Sequence, residues 1–158
     1  MSSKRSAAAV LDQQTCREIV ANCACFNFRK ASRSVTQLFD QILAPIGLRS
    51  TQLVILVTCE AVGPCGLARL ARELVMDRST VTRNLRPLIS QGYLQVTGKS
   101  GRAGKSVELT KAGRQALAGA APFWQEAQGQ LLRQLGRERW DRVMADLTSV
   151  VDATRAAD

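Results

Sequence analysis

Between Gly66 and Thr110 the apolar residues change from a helical period to a strict alternation, and few folds accommodate that change within so short a span. Leu67, Leu70, Ala71 and Leu74 recur at the spacing that gives a helix one apolar face. Val75 and Met76 form a short link, and Asp77 or Ser79 can cap a second helix. The inward face of that second helix is Val81, Leu85, Leu88 and Ile89, which leaves Arg78, Thr80, Thr82, Arg83 and Arg86 outward. Helix, turn and helix in this order would present short hydroxyls and guanidinium groups, which suit the donor and acceptor pattern of a DNA major groove.

Past Gly92, Tyr93–Thr97 reads as a short strand and Ser106–Thr110 as its antiparallel partner. Gly98–Lys105 between them contains three glycines, three basic residues and no large apolar side chain, the composition of a flexible hairpin tip. The prediction is a winged helix-turn-helix over residues 52–110, in a chain that is mainly α with a small β-hairpin. Charge follows the same outline. Gly66–Lys105 holds eight basic residues (Arg69, Arg72, Arg78, Arg83, Arg86, Lys99, Arg102 and Lys105) against Glu73 and Asp77, which is most of the chain's net +9. The excess lies where phosphate contacts would be made.

The flanks are helical. From Leu11 or Asp12 to about Arg33 the pattern is that of a helix with Cys16, Ile19, Val20, Cys23 and Phe26 near one face. Val35, Leu38, Phe39, Ile42 and Leu43 continue the rhythm, in the same long helix, until Pro45 and Gly47 end it. Ser50 or Thr51 starts an apolar, central helix that Gly63 and Pro64 end, with Cys65 in the following turn. Beyond the hairpin, Leu117, Phe123, Trp124, Ala127, Leu131, Leu132 and Leu135 mark a helical region in which Pro122 either kinks the helix or opens a new segment. After Gly136 a last helix carries Trp140, Val143, Met144, Leu147 and Val151 on one side. Residues 1–158 thus read as a single domain, with 11–48 and 112–153 as dimerisation helices that bring two recognition helices onto one duplex face.

The 158 residues contain no histidine, which removes the commonest general base and nitrogen metal ligand, and no glycine-rich phosphate loop or paired-carboxylate pattern accompanies the cysteines. An enzyme is not expected, and no cofactor is required. A redox-active or ligand-binding enzyme and a winged helix that serves protein interaction alone are the rival readings. Arginine and lysine outnumber aspartate and glutamate 22 to 13, which favours an anionic partner. No apolar run approaches the roughly eighteen residues of a membrane span and no signal core follows the first residues, so no membrane partner and a cytoplasmic location are expected. Five cysteines, Cys16, Cys23, Cys25, Cys59 and Cys65, argue against a disulfide scaffold by their odd number.

In its order of motifs the chain resembles the MarR family of winged-helix transcriptional regulators. The resemblance spans residues 12–150 and is carried by Leu43–Gln52, by Leu67–Leu88, by Gly92-Tyr93-Leu94 and by Leu109–Arg114. It implies a homodimeric repressor on double-stranded DNA with a pseudo-palindromic operator, released by a small molecule, an oxidant or a thiophilic ion. It also implies base reading by Ser79, Thr80, Thr82 and Arg83, with Arg78 and Arg86 at phosphates or the groove edge and Lys99, Arg102 and Lys105 on the wing. Family wings hold an Asp-x-Arg element. Here the tip has no aspartate, and Arg102 is its only arginine. Cys25–Arg33 is similar to the segment that carries the reactive cysteine of the organic-hydroperoxide-sensing OhrR branch, with Cys25 on that position. The two tyrosines that hydrogen-bond that cysteine correspond to Phe39 and Ser50, so the orienting network is absent or rebuilt.

Three sensing modes stay open on these residues. Cys25 can act as a redox thiol that condenses with Cys23, Cys16 or a partner's cysteine. Cys23 or Cys25 can join Cys59 or Cys65 around a soft metal or metalloid, although residues two apart on a regular helix point about 200° apart. Alternatively the cysteines only pack, and an organic effector enters a cleft lined by Phe28, Arg29, Arg33 and Phe39.

Overall fold

A computed structural model describes residues 11–98 and 104–155. The chain divides between Gln37 and Leu38 into two compact units. The first consists of α1 (Gln13–Asn22) and the first part of α2 (Ala24–Leu43). Asp12 caps α1, its carboxylate accepting the Thr15 N–H at 2.7 Å. The single long helix expected here is broken at Cys23, whose backbone is extended (φ −71°, ψ 114°). Neither proline nor glycine causes the break. The carboxamide of Asn27 reaches back to the carbonyls of Val20, Ala21 and Cys23 at 3.3, 3.2 and 3.0 Å, giving partners to acceptors that the end of α1 leaves open.

The second unit holds the buried core. After a 3₁₀ turn (Ala44–Ile46), α3 (Ser50–Val62) starts at one of the two residues expected. Its N-terminal donors are satisfied by side chains: Asp40 accepts the Ser50 N–H at 2.7 Å, and Gln52 accepts the Arg49 N–H at 2.9 Å. Leu53, Ile55, Leu56 and Cys59 of α3 pack against Leu70 and Ala71 of α4 (Leu67–Leu74) and Val81, Leu85 and Leu88 of α5 (Arg78–Ser90). Ile89, expected inward, is exposed. It follows Leu88 directly and so points about 100° round the helix from it, at the edge of the apolar face.

The α4–α5 turn is a Schellman motif: Met76 N–H donates to Ala71 at 2.9 Å and Val75 N–H to Arg72 at 3.2 Å. Its left-handed position, where glycine is usual, is filled by Val75 (φ 52°, ψ 47°). A β-branched side chain there costs roughly 1–2 kcal/mol. Val75 is also 59% exposed, so little packing offsets that cost. The Val75→Gly variant is therefore expected to be more stable by about 1 kcal/mol, less the extra entropy of an unfolded glycine. A urea midpoint equal to or below the wild type's would show that the turn carries no strain.

A three-stranded antiparallel sheet follows, in the order β1-β3-β2. β2 (Leu94–Thr97) pairs with β3 (Ser106–Leu109) in the register Leu94 to Leu109 and Val96 to Val107. The expected hairpin is present, and β1 (Cys65–Gly66) adds a strand where a turn was expected, Cys65 facing Val107. Leu94, Val107 and Leu109 turn into the core. α6 (Lys111–Leu135) runs through Pro122 as one helix, so Pro122 does not open a new segment, and α7 (Arg137–Arg155) follows. Thr110 locks the start of α6. Its hydroxyl donates to the Gly92 carbonyl at 2.6 Å and accepts the Gly113 N–H at 3.0 Å.

Candidate nucleic-acid interface and sensing residues

Asp77 sets the geometry of α5. One carboxylate oxygen accepts the Ser79 hydroxyl at 2.5 Å and the Thr80 N–H at 2.8 Å, and the other accepts the Thr80 hydroxyl at 2.7 Å. Of the two caps the sequence allowed, aspartate is the one used. The bonds from Ser79 and then Thr80 hold its carboxyl well below the usual carboxylate range. With α5 anchored by Val81, Leu85 and Leu88, the opposite face gathers Arg78, Ser79, Thr82, Arg83 and Arg86 around one open groove of about 500 Å³. Three guanidinium groups and two hydroxyl oxygens line it, and among the described residues no carboxylate does. Thr80 stands apart from this set: it is half-buried and turned to Asp77. The Thr82 hydroxyl donates to the Arg78 carbonyl at 2.7 Å. Pro87 has no N–H for the carbonyl of Arg83, which leaves an extra acceptor on an exposed turn of this helix.

At the wing, Lys105 is exposed beside β3, while Lys99 and Arg102 lie outside the described residues. The hairpin closes at Gly98 (φ +91°), where a β-carbon would stand 2.6 Å from the Gly104 carbonyl oxygen. Only glycine fits so close an approach at that backbone angle.

The cysteines fall into two kinds. Cys59 and Cys65 are buried in the core between α3 and the sheet. Burial, helped by nearby Cys65, pushes the Cys59 thiol up to about 11. Burial also raises Cys65, against the pull of Arg69. Both stay protonated at neutral pH and are packing residues, so the soft-ion reading loses two of its four ligands in ready form. Among the described residues no three histidine, cysteine, aspartate or glutamate side chains gather as a metal site. Cys25 is exposed on α2, and Cys23 sits in the helix break, so the 200° argument for a regular helix does not govern this pair.

Phe28, Arg29 and Arg33 share one recess with Ser32 on α2. Phe39 does not line that recess but packs against the buried core. Ser50, at the second tyrosine position, has a buried hydroxyl with no hydrogen-bond partner among the described residues. The sequence reading missed an apolar recess of about 530 Å³ between α3 and α6, lined by Leu53, Val57, Ala61, Leu117, Ala121 and Trp124 among others. Its signal was the apolar character of α3 all round, which exceeds what one core can cover: Val54 and Val57 are half exposed.

An exposed basic second helix, buried on its other face and followed by a glycine-closed hairpin, defines a winged helix-turn-helix regulator. The MarR family model matches residues 48–100. Over 86% of this chain and 98% of the other, the sequence is 32% identical to the transcriptional regulator MosR of M. tuberculosis, with a TM-score of 0.77. The chain belongs to the MarR family of transcriptional regulators. A probable transcriptional regulator from Pseudomonas aeruginosa is 25% identical over 83% of this chain and 98% of that one, TM-score 0.74. Mutant MarR from E. coli shares the fold at 18% identity over 89% and 99% of the two chains, TM-score 0.75. No curated protein matches the chain. Members of the family are transcriptional regulators rather than enzymes, and among the described residues no single helix is long and apolar enough to cross a membrane.

Proposed function

We propose that the protein is a homodimeric, cytoplasmic repressor that binds a pseudo-palindromic operator through α5 and the wing, and that oxidation of Cys25 releases it. It has no catalytic turnover. The observation that carries the DNA reading is the groove face of α5, where Arg78, Ser79, Thr82, Arg83 and Arg86 stand together without a carboxylate. The relative MosR is solved in complex with DNA, which supports the same use here. Ile19, Val20 and Phe26 in the first unit and Met144, Leu147 and Val150 on α7 are large exposed apolar residues, which supports a dimer built from the chain's ends. Two recognition helices about 34 Å apart then meet successive turns of one groove, and a small rotation between subunits weakens both contacts together.

The break at Cys23 supports the choice of signal. An organic hydroperoxide, ROOH, would oxidise the Cys25 thiol to a sulfenic acid and leave as ROH. The Cys23 thiol then attacks that sulfur, forming a disulfide and releasing water. The ring so closed begins at Cys23, one of the three residues whose carbonyls Asn27 holds, and closing it would shift α1 against α2. Fluorescence-anisotropy titration of DNA upstream of the gene tests both parts. Reduced protein should bind it in preference to a random duplex. Hydroperoxide should weaken binding, dithiothreitol should restore it, and Cys25→Ser should be insensitive.

Operator binding that hydroperoxide leaves unchanged would transfer the signal to a second reading, an apolar organic effector in the α3–α6 recess. Trp124 in its wall would report such a ligand by fluorescence in a Trp140→Phe background.

A further inference from the structure

The three hydroxyl groups near the start of α5 have their protons already engaged. Ser79 and Thr80 donate to the two oxygens of Asp77, and Thr82 donates to the Arg78 carbonyl. A hydroxyl has one proton and two lone pairs, so what Ser79 and Thr82 still offer to the groove they line is acceptor capacity. The donors on that face are the guanidinium groups of Arg78, Arg83 and Arg86, which have no acceptor. The face is therefore divided by residue type into oxygens that accept and nitrogens that donate.

We infer that Asp77 is a positioning residue that sets the base preference of this helix, by holding the Ser79 proton so that this hydroxyl presents an acceptor alone to the groove. The inference rests on the DNA-binding reading and deepens it. In the major groove cytosine N4 and adenine N6 carry donor hydrogens, whereas guanine and the thymine carbonyl edge present acceptors. Ser79 oxygen thus faces an amino-bearing base favourably and a keto-bearing base with two acceptors opposed. Arg83 supplies the complementary preference for guanine. Asp77 itself lines none of the groove, and its carboxylate acts through Ser79.

The test is enrichment of a duplex pool, randomised over two helical turns, about 20 base pairs, by wild type, Asp77→Gly and Ser79→Ala. One Asp77 oxygen accepts both the Thr80 N–H and the Ser79 hydroxyl, so asparagine would keep that acceptor, whereas glycine removes it and is still tolerated at an N-cap, which thermal unfolding checks. Without the carboxylate the Ser79 hydroxyl is free to turn and donate. Wild type should prefer an amino-bearing base over a keto-bearing one roughly tenfold at one position of each half-site. Asp77→Gly should bring that ratio close to one, with preferences elsewhere kept, and Ser79→Ala should lose the preference at the same position. A loss of affinity that is equal for all sequences, with the base profile intact, would reduce Asp77 to a structural cap and overturn the inference while leaving the DNA reading in place. Failure of the wild type to enrich any duplex would overturn both.

Discussion

Alanine at Gly113 should destabilise the winged unit by about 2 kcal/mol net, while alanine at Gly119, less than two turns along the same helix, should stabilise it by about 0.5–1 kcal/mol. Both are glycines inside α6, and on helix propensity alone both substitutions are favourable. The surroundings separate them. A β-carbon at Gly113 would stand 2.1 Å from the Tyr93 carbonyl oxygen, a backbone atom that also accepts the Thr110 N–H at 3.0 Å. Nothing lies within 4 Å of a β-carbon at Gly119. Making room at Gly113 means moving the strand that leads into β2 or the first turn of α6, and either motion breaks the Thr110 bridge to Gly92. Parallel thermal melts of the two variants read the difference, with a fall of roughly 5 °C for Gly113→Ala and a rise for Gly119→Ala. Two rises would mean that the contact relaxes at little cost and that the tie between wing and α6 is loose.

That tie was not visible in the sequence, although the Leu109–Arg114 motif that contains it was. A period of apolar residues reports which face of an element is buried, and it placed α4, α5 and the wing strands because each has one wet face. It reports nothing about elements held by side chain to backbone bonds. The break at Cys23 depends on the carboxamide of Asn27, four residues further on, and carries no proline or glycine to announce it. β1 is too short for an alternation to show, and its pairing with Val107 is a contact across the chain. α3 read as central because it is apolar throughout, yet Val54 and Val57 are exposed. Phe39 was expected beside Phe28 in an effector cleft, yet it packs on the core. In the candidate site the basic residues were legible from charge and outward phase. The division of Ser79 and Thr80 between groove and cap was not, since it depends on where one carboxylate points.

Substituting Arg83 with alanine should lower operator affinity more than any other single change on the groove face. A guanidinium paired bidentately with guanine contributes about 1–3 kcal/mol of discrimination, and a homodimer loses it twice, about 2–6 kcal/mol in all. That is a loss of at least roughly 30-fold in affinity for the operator. Arg83 sits one turn beyond Ser79 in the same groove, between Arg78 and Arg86, which places it at the centre of the face. A base contact and a phosphate contact at this position differ in their salt dependence. Loss of a base contact spares binding to a random duplex and leaves the slope of log affinity against log salt unchanged. Loss of a phosphate contact weakens every duplex alike and reduces the slope by about 0.9 per subunit. The expected result for Arg83→Ala is the first pattern, and for Arg86→Ala the second. Arg83→Lys, which keeps the charge and loses the planar fork, should likewise keep random-duplex affinity without restoring operator preference. Operator affinity unchanged in Arg83→Ala at both low and physiological salt would remove Arg83 from the reading set and transfer that role to Arg78 or the wing.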